Sequence, residues 1–214
     1  TADISTVDRT VAIQNDDIAM LTLSAPTITE TDANVVANFV ATIDAAVEGG
    51  FSVAFASDGI GGALISTEGT DITDGATPVA FTGNAGETVN VPITIIGDQI
   101  VEENETFKVT LGAVTGASIS AEQISRITTG ASASAIINND DTATVTIADV
   151  SITETDADQT LNFTATLDAP VEGGLTIAFD GTPLGASLVA AETSDFTPVT
   201  ITSVTFDGAA AETE

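Results

Sequence analysis

Carboxylates are the side chains of this sequence that could do chemistry. The 214 residues include 32 Asp and Glu against 3 Lys and Arg, a formal net charge of −29, and there is no His or Cys. The sequence therefore excludes an imidazole base, a thiol nucleophile, a disulfide and a His- or Cys-ligated metal, and its charge disfavours binding to nucleic acid or an anionic membrane. Carboxylate, hydroxyl and carbonyl oxygens remain, and their natural partner is a hard divalent cation such as Ca²⁺.

Several acidic residues stand at the ends of predicted strands, where a folded domain would bring them together. They occupy residues 98–105, the Asn-Asn-Asp-Asp run at 138–141, and the single positions Glu30 and Asp58. Carboxylates a few ångströms apart repel one another by roughly 1–4 kcal/mol per pair, and 3 basic residues are too few to offset this. A bound cation would offset it and would stabilise the folded state by mass action. The alternative is solvated charge that discourages aggregation between strand edges.

The elements that must position these residues follow an internal repeat. The segment Thr29-Glu30-Thr31-Asp32-Ala33 recurs 124 residues later at 153–157, and Val47-Glu48-Gly49-Gly50 recurs at the same offset. We therefore predict three pieces: the last strand of an upstream repeat at 1–17, a complete repeat at 18–141 and an incomplete downstream repeat at 142–214. Either the chain is a stretch of a longer polypeptide, or neighbouring copies supply the missing strands by strand addition.

Within each repeat the apolar residues alternate with polar ones, which is typical of strands that bury one face. Clear examples are Ala37, Phe39, Ala41 and Ile43 and their counterparts Leu161, Phe163, Ala165 and Leu167. Glycine-containing turns separate the runs. About seven short strands per repeat, with no helical period, predict an all-β fold of tandem immunoglobulin-like antiparallel β-sandwiches.

Several segments in this order resemble Calx-beta domains. The most specific is the run from Ile95 to Phe107, Ile-Ile-Gly-Asp-Gln-Ile-Val-Glu-Glu-Asn-Glu-Thr-Phe, and the ending Ile-Ile-Asn-Asn-Asp-Asp at 136–141 is similar to that family's terminal acidic motif. Ile28-Thr29-Glu30 and Asp58-Gly59 also fit. The resemblance covers essentially the whole chain and implies an immunoglobulin-like sandwich that binds calcium at one end, next to the following module.

The resemblance implies calcium ligands at matching positions. In the complete repeat these are Glu30, Asp58, Asp98, the Ile100 carbonyl, Glu102, Asn139, Asp140 and Asp141; in the next repeat they are Glu154 and Asp180, and Asp16 and Asp17 would belong to an upstream site. The sequence departs from the family at Gly97, where an Asp is frequent, and at Asn138 and Asn139, which are frequently acidic. A reduced ligand set implies one or two ions rather than four, with amides and carbonyls completing the coordination.

These observations predict a calcium-binding structural repeat of a long secreted or cell-surface protein, in which Ca²⁺ between repeats stiffens a rod or filament. The expected partners are calcium, neighbouring repeats of the same chain and other copies in a filament; nucleic acid and a membrane span are not expected. One alternative is an adhesin segment that binds a surface glycan or protein, and another is an acidic, halophile-type surface without specific calcium binding. We do not expect an enzyme, because no aromatic-lined cleft accompanies the acidic pairs, and no membrane segment supports calcium sensing of the exchanger kind.

Overall fold

The computed structural model describes residues 11, 13–59, 71–153, 155–179 and 203–214. Ten strands and one short helix form the first folded unit. They are β1 (Ala19–Ser24), β2 (Ile28–Thr29), β3 (Val35–Ile43), β4 (Phe51–Gly59), β5 (Ile72–Asp74), β6 (Val79–Phe81), β7 (Thr88–Ile95), β8 (Glu105–Thr115), α1 (Ala121–Ser125), β9 (Ile127–Thr129) and β10 (Ala133–Asn138).

The strands form two five-stranded sheets, in the orders β5-β7-β3-β1-β9 and β2-β10-β8-β4-β6. Alternation sends one side of each strand into a single core between the sheets, where Phe39 of the first sheet meets Phe107 of the second edge to face at 5.6 Å. Phe51 and Phe81 stack at 5.0 Å within the second sheet. The predicted immunoglobulin-like β-sandwich is confirmed, and these phenylalanines are core residues.

The first predicted strand is divided between the two sheets. β1 pairs antiparallel with β3 and parallel with β9, whereas β2 pairs parallel with β10 in the opposite sheet. Pro26 lies between them, and proline has no N–H to give to a continuous ladder. The chain therefore changes sheets at this point and places Glu30 at the end of the second sheet.

The unit contains more strands than the seven expected, and a helix that was not expected. Short bridging strands such as β5, β6 and β9, with three residues each, are too brief for an alternation pattern to reveal. The helix α1 begins with a capping box: Ser120 accepts from the Gln123 backbone, and the Gln123 side chain accepts from the Ser120 N–H. The Ser-x-x-Gln spacing is its visible sequence signal.

Four more strands follow: β11 (Val145–Ile147), β12 (Ala165–Leu167), β13 (Leu175–Ala178) and β14 (Ser203–Phe206), in two two-stranded sheets. Their pairing reproduces the first unit 124 residues on. Val145 lies opposite Leu167 as Leu21 lies opposite Ile43. The Thr144 N–H donates to the Asp168 carboxylate at 2.6 Å, as the Met20 N–H donates to Asp44 at 2.7 Å.

A turn held by a glutamate also recurs. The Glu87 carboxylate accepts hydrogen bonds from the N–H groups of residues 82–84, and Glu212 accepts from those of residues 207–209. These backbone hydrogen bonds lower the pKa of both carboxyl groups.

Two apolar segments lack the strand partners of their counterparts. Leu161 and Phe163, predicted to lie in a strand, precede β12, and Phe163 is 56% exposed; its counterpart Phe39 is buried in β3 beside β7. Residues 11 and 13–17 form no strand, and Ile13 is 95% exposed, whereas its counterpart Ile137 is buried in β10. The rest of 1–17 lies outside the described residues.

Helices of the described residues include none with the length and hydropathy needed to cross a membrane.

Candidate metal centre

Three segments meet at one end of the first sandwich: the residues after β2, the loop between β7 and β8, and the residues after β10. The Glu30 N–H donates to the Asn138 carbonyl at 2.9 Å, and the Asn138 side-chain amide donates to the Ile28 carbonyl at 2.6 Å. The first bond extends the parallel β2–β10 pairing by one residue, and the second ties the Asn138 side chain to β2. They fix Glu30 beside the acidic run that closes the repeat.

Asparagine side chains connect the β7–β8 loop to the end of β10. The Asn139 N–H donates to the Asn104 side-chain oxygen at 3.0 Å, and the Asn139 side-chain amide donates to the Ile100 carbonyl at 3.0 Å. Asn139 also accepts from the Asp141 N–H at 3.0 Å. The Ile100 carbonyl, predicted as a backbone ligand, thus accepts one hydrogen bond and retains a second lone pair.

Asp98 turns the loop toward this end of the sandwich. One of its carboxylate oxygens accepts from the Ile100 N–H at 2.7 Å, which is an Asx turn. The preceding residue, Gly97, lies so close to the 31–33 segment that an added Cβ would come 1.8 Å from the Thr31 carbonyl oxygen and 2.6 Å from that of Ala33. No side chain fits at this position, so the close approach of the backbone requires glycine there.

Glu30 is a buried carboxylate among other carboxylates. Its exposed fraction is 6%. Burial, together with the negative charges of nearby carboxylates, raises the pKa of Glu30 to about 7; these carboxylates are Glu102, Asp98, Asp141 and Asp71. No side-chain hydrogen bond to this carboxylate occurs among the described residues. A charge in such a place is destabilised unless a cation or a proton joins it.

Glu102 and Glu105 share this environment. Burial and neighbouring charges together raise the pKa of each to about 7. At Glu102 the largest charge contributions come from Asp98 and Glu172, and at Glu105 from Asp71 and Glu102. Glu172 belongs to the second unit, so the acidic cluster extends across the junction. We call Glu30, Asp71, Asp98, Glu102, Glu105, Asp141 and Glu172 the junction carboxylates.

Asp141 provides the most direct sign of an unmet partner. One of its carboxylate oxygens is buried and accepts no hydrogen bond from the described residues. Burial raises the pKa of Asp141, and Asp140, Asp32 and Asp98 raise it further. This Asp141 oxygen lies near the buried Glu30 carboxylate and the β7–β8 loop that carries the Ile100 carbonyl. Together these groups fit the oxygen-only ligands that Ca²⁺ takes. Glu30, Asp98, Glu102 and Asp141 are the residues that would hold the ion.

Basic side chains do not neutralise this cluster in the part of the chain that is described. Lys108 pairs with Asp58 at 3.2 Å, and Arg126 pairs with Glu122 at 3.5 Å beside α1. Nor do three acidic side chains there stand close enough together to make a preassembled metal site. Carboxylates that repel one another without a cation between them separate as far as the backbone permits, so an ion would have to draw them inward.

The remaining predicted ligands lie apart from the junction carboxylates or outside the described residues. Asp58 lies opposite Lys108 in the β4–β8 pairing and its side chain is 73% exposed, so its charge is met there. Asp16 and Asp17 lie at the opposite end of the sandwich, where the Asp17 N–H donates to the Asn15 side chain at 2.9 Å. Glu154 and Asp180 fall outside the described residues.

Sequence reasoning missed Asp71, Glu105 and Glu172. The Asp71 carbonyl accepts from the Ile96 N–H at 2.9 Å, next to the start of the acidic loop. Glu105 belongs to the acidic run itself and could have been included on its position. Glu172 could not have been, because only the docking of the two units brings it to Glu102.

That docking uses the acidic loop itself. The Val101 N–H donates to the Pro170 carbonyl and the Glu172 N–H donates to the Val101 carbonyl, both at 3.0 Å. Val101 and Val171 thereby form a parallel β-bridge between the two units. The loop that carries Asp98 and Glu102 is therefore also the loop that contacts the next unit.

Comparison with known proteins gives structural neighbours but no sequence relatives. No protein-family model matches the chain, and no curated protein matches it in sequence. The chain is similar to the crystal structure of a Calx CBD2 domain, at 13% identity and a TM-score of 0.44, over 56% of this chain and 86% of that one. It is also similar to an ASH/PapD-like domain of human CEP192, at 8% identity and a TM-score of 0.36, over 66% of this chain and 99% of that one. The β-sandwich assignment rests on the two sheets and their shared core.

Proposed function

We propose that this chain is a calcium-binding structural module of an extracellular or cell-surface protein, in which the ion at each junction stiffens consecutive β-sandwiches into a rod. The observation that supports this most directly is a buried oxygen of Asp141 that has no hydrogen-bond partner in the described part of the chain and lies in a cluster of carboxylates from two units. Extracellular calcium modules have dissociation constants of about 10⁻⁴–10⁻³ M, so such a site suits a calcium-rich environment.

The junction carboxylates would act by joining the two units through the loop between β7 and β8. Asp98 and Glu102 flank the bridge from Val101 to Val171, and Glu172 adds a carboxylate from the second unit. Bound Ca²⁺ would supply the positive charge that these carboxylates lack. Only the three residues 142–144 separate Asp141 from β11, so this short connection gives the two units little freedom of relative movement once the loop is held.

A calcium titration followed by thermal unfolding tests the proposal. The chain has no Trp or Tyr, so circular dichroism or calorimetry is the appropriate measurement. At 100 times the dissociation constant, binding adds about 2.7 kcal/mol to the free energy of unfolding, which corresponds to roughly 5–11 °C in a domain of this size. An equal rise with Mg²⁺ or NaCl would instead indicate a halophile-type acidic surface and would contradict the proposal.

Comparing Glu30→Gln with a matched control, Glu103→Gln, shows whether Glu30 is responsible for the calcium-dependent rise in melting temperature. Glu103 follows Glu102 in the loop between β7 and β8 and is exposed, so both variants remove one negative charge from the same end of the sandwich. We expect Glu30→Gln to lose most of the calcium-dependent rise in melting temperature while melting no lower than the unchanged chain in chelator, because it removes a buried charge. Glu103→Gln should keep the rise; equal losses in the two variants would mean that calcium acts only by screening.

A further inference from the structure

The opposite end of the first sandwich carries a groove of about 300 Å³. Its walls are the turn after β3, the residues before β1 and the helix α1, with Ala46, Val47, Glu48, Asp17, Gln123 and Arg126 among its lining residues. The turn is tethered to α1, because the Gln123 side-chain amide donates to the Glu48 carbonyl at 3.2 Å. The groove is distinct from the junction carboxylates, which lie at the far end of the strands.

This turn is the counterpart of the one that Val101 contacts. Val47 and Glu48 precede Val171 and Glu172 by 124 residues, and their local bonding is the same: the Val47 N–H donates to Gly83 at 2.8 Å, and the Val171 N–H to Gly208 at 2.9 Å. The two turns therefore present the same backbone surface to an approaching loop.

They differ in what is bound there. In the second unit, the Pro170 carbonyl and the Glu172 N–H are bonded to Val101. In the first unit, the equivalent Ala46 carbonyl and Glu48 N–H have no hydrogen-bond partner within the described ranges. The Nε of Arg126, another group of this groove, is buried and also without a partner there.

We propose that this groove receives the 98–105-type loop of a module that precedes Ile18, through the same pair of backbone hydrogen bonds that Val101 makes. The segment before Ile18 supports this choice of occupant: Asn15 and Asp17 repeat the sequence and the hydrogen bond of Asn139 and Asp141. Such a loop is acidic, and the Arg126 guanidinium gives it a positive partner. The docking depends on backbone groups and needs no bound calcium.

The test uses an extended chain in which residues 18–141 occur twice, 1–141 being followed directly by 18–214. Amide hydrogen exchange by NMR, in chelator, compares Glu48 in the present chain with Glu48 of the trailing copy. We expect its exchange to slow by on the order of tenfold or more when the leading copy docks. Glu172, already bonded to Val101, is the internal reference and should be protected in both chains; unchanged exchange of Glu48 would overturn the proposal.

Disulfide trapping gives a second, independent measurement, since the chain has no cysteine. Residues paired across adjacent strands lie within the 4.4–6.8 Å Cα separation that a disulfide spans. We expect Val101→Cys in the leading copy to cross-link with Val47→Cys in the trailing copy about as fast as Val101→Cys with Val171→Cys in the present chain. In the negative control, Val36→Cys, exposed on β3, takes the place of Val101→Cys. If the Val101→Cys and Val47→Cys pair cross-links no faster than this control pair, the proposal is overturned. Because all arms are run in chelator, a failure of calcium binding would leave this result unaffected.

Discussion

At the scale of single residues, the candidate site depends on its carboxylates and equally on two residues that shape the loop, Gly97 and Asn139. Gly97 lets the loop pass beneath the Thr31 and Ala33 carbonyls. Asn139 serves three neighbours at once: it bonds Asn104, the Ile100 carbonyl and the Asp141 N–H. Where the resemblance implied weakened ligands, the structure shows residues that position the loop.

We therefore predict that Gly97→Ala destabilises the first sandwich. The added Cβ overlaps backbone oxygens that cannot move without opening the β2–β10 end of the sheet, and overpacking of this kind costs about 1–3 kcal/mol. Urea unfolding measures the change. Gly112→Ala is the control, because its Cβ meets only ordinary contacts at 3.6 Å and beyond; equal destabilisation of the two variants would contradict the steric explanation.

At the scale of elements, the sequence predicted the long strands well and the short ones poorly. Alternation is visible over β3 and β7 because each strand has eight or nine residues and buries alternate ones in the same core. Leu161 and Phe163 show the same alternation, yet form no strand, because pairing requires a neighbour that periodicity cannot supply. Asp58 shows the corresponding limit for the site: it was predicted to follow a strand, but β4 extends to Gly59 and the β4–β8 register places Asp58 opposite Lys108.

The three glutamates with raised pKa values among the junction carboxylates should make the free energy of unfolding fall as pH rises. The pKa values of Glu30, Glu102 and Glu105 are raised to about 7 from 4.5, so between these values the folded state binds more protons than the unfolded state. Stability in chelator therefore falls as pH rises from about 4.5 to 7. Melting temperatures across this range measure it.

Saturating calcium should flatten this dependence, since the ion favours the ionised carboxylates. Glu30→Gln should weaken the dependence in chelator, and Glu103→Gln should preserve it. A melting temperature that increases with pH over this range, in chelator, would contradict the assignment of these three groups.

At the scale of the whole molecule, the repeat could be predicted from sequence but the joint could not. The 124-residue offset reappears in matching hydrogen bonds at Asp44 and Asp168. The bridge from Val101 to Val171 has no sequence signal, because backbone groups make it and any residue has those. Glu172 could not be assigned to the acidic cluster from sequence either, because these backbone bonds are what bring it there.

We predict that chelation makes the connection at 138–150 more sensitive to proteolysis. Without a cation, repulsion among the junction carboxylates drives the residues after Asp141 away from the acidic loop. The short connection then becomes accessible, although the backbone bonds of Val101 still hold the bridge. Asp-N protease is suitable, because Asp140, Asp141 and Asp149 lie in this stretch and no Lys or Arg does. Digestion with and without calcium, followed by mass spectrometry, locates the cuts; an unchanged rate at these sites, beside an unchanged rate at Asp44, would contradict the prediction.

The divided first strand has a mechanical consequence. β1 and β2 lie near the start of the sandwich and run parallel to β9 and β10 near its end. Tension applied at the two ends of the unit therefore pulls these pairs lengthwise in opposite directions and loads their backbone hydrogen bonds together in shear, instead of opening them one after another like a zip. A chain built from such units would resist stretching at the very strands through which the load enters and leaves each of them.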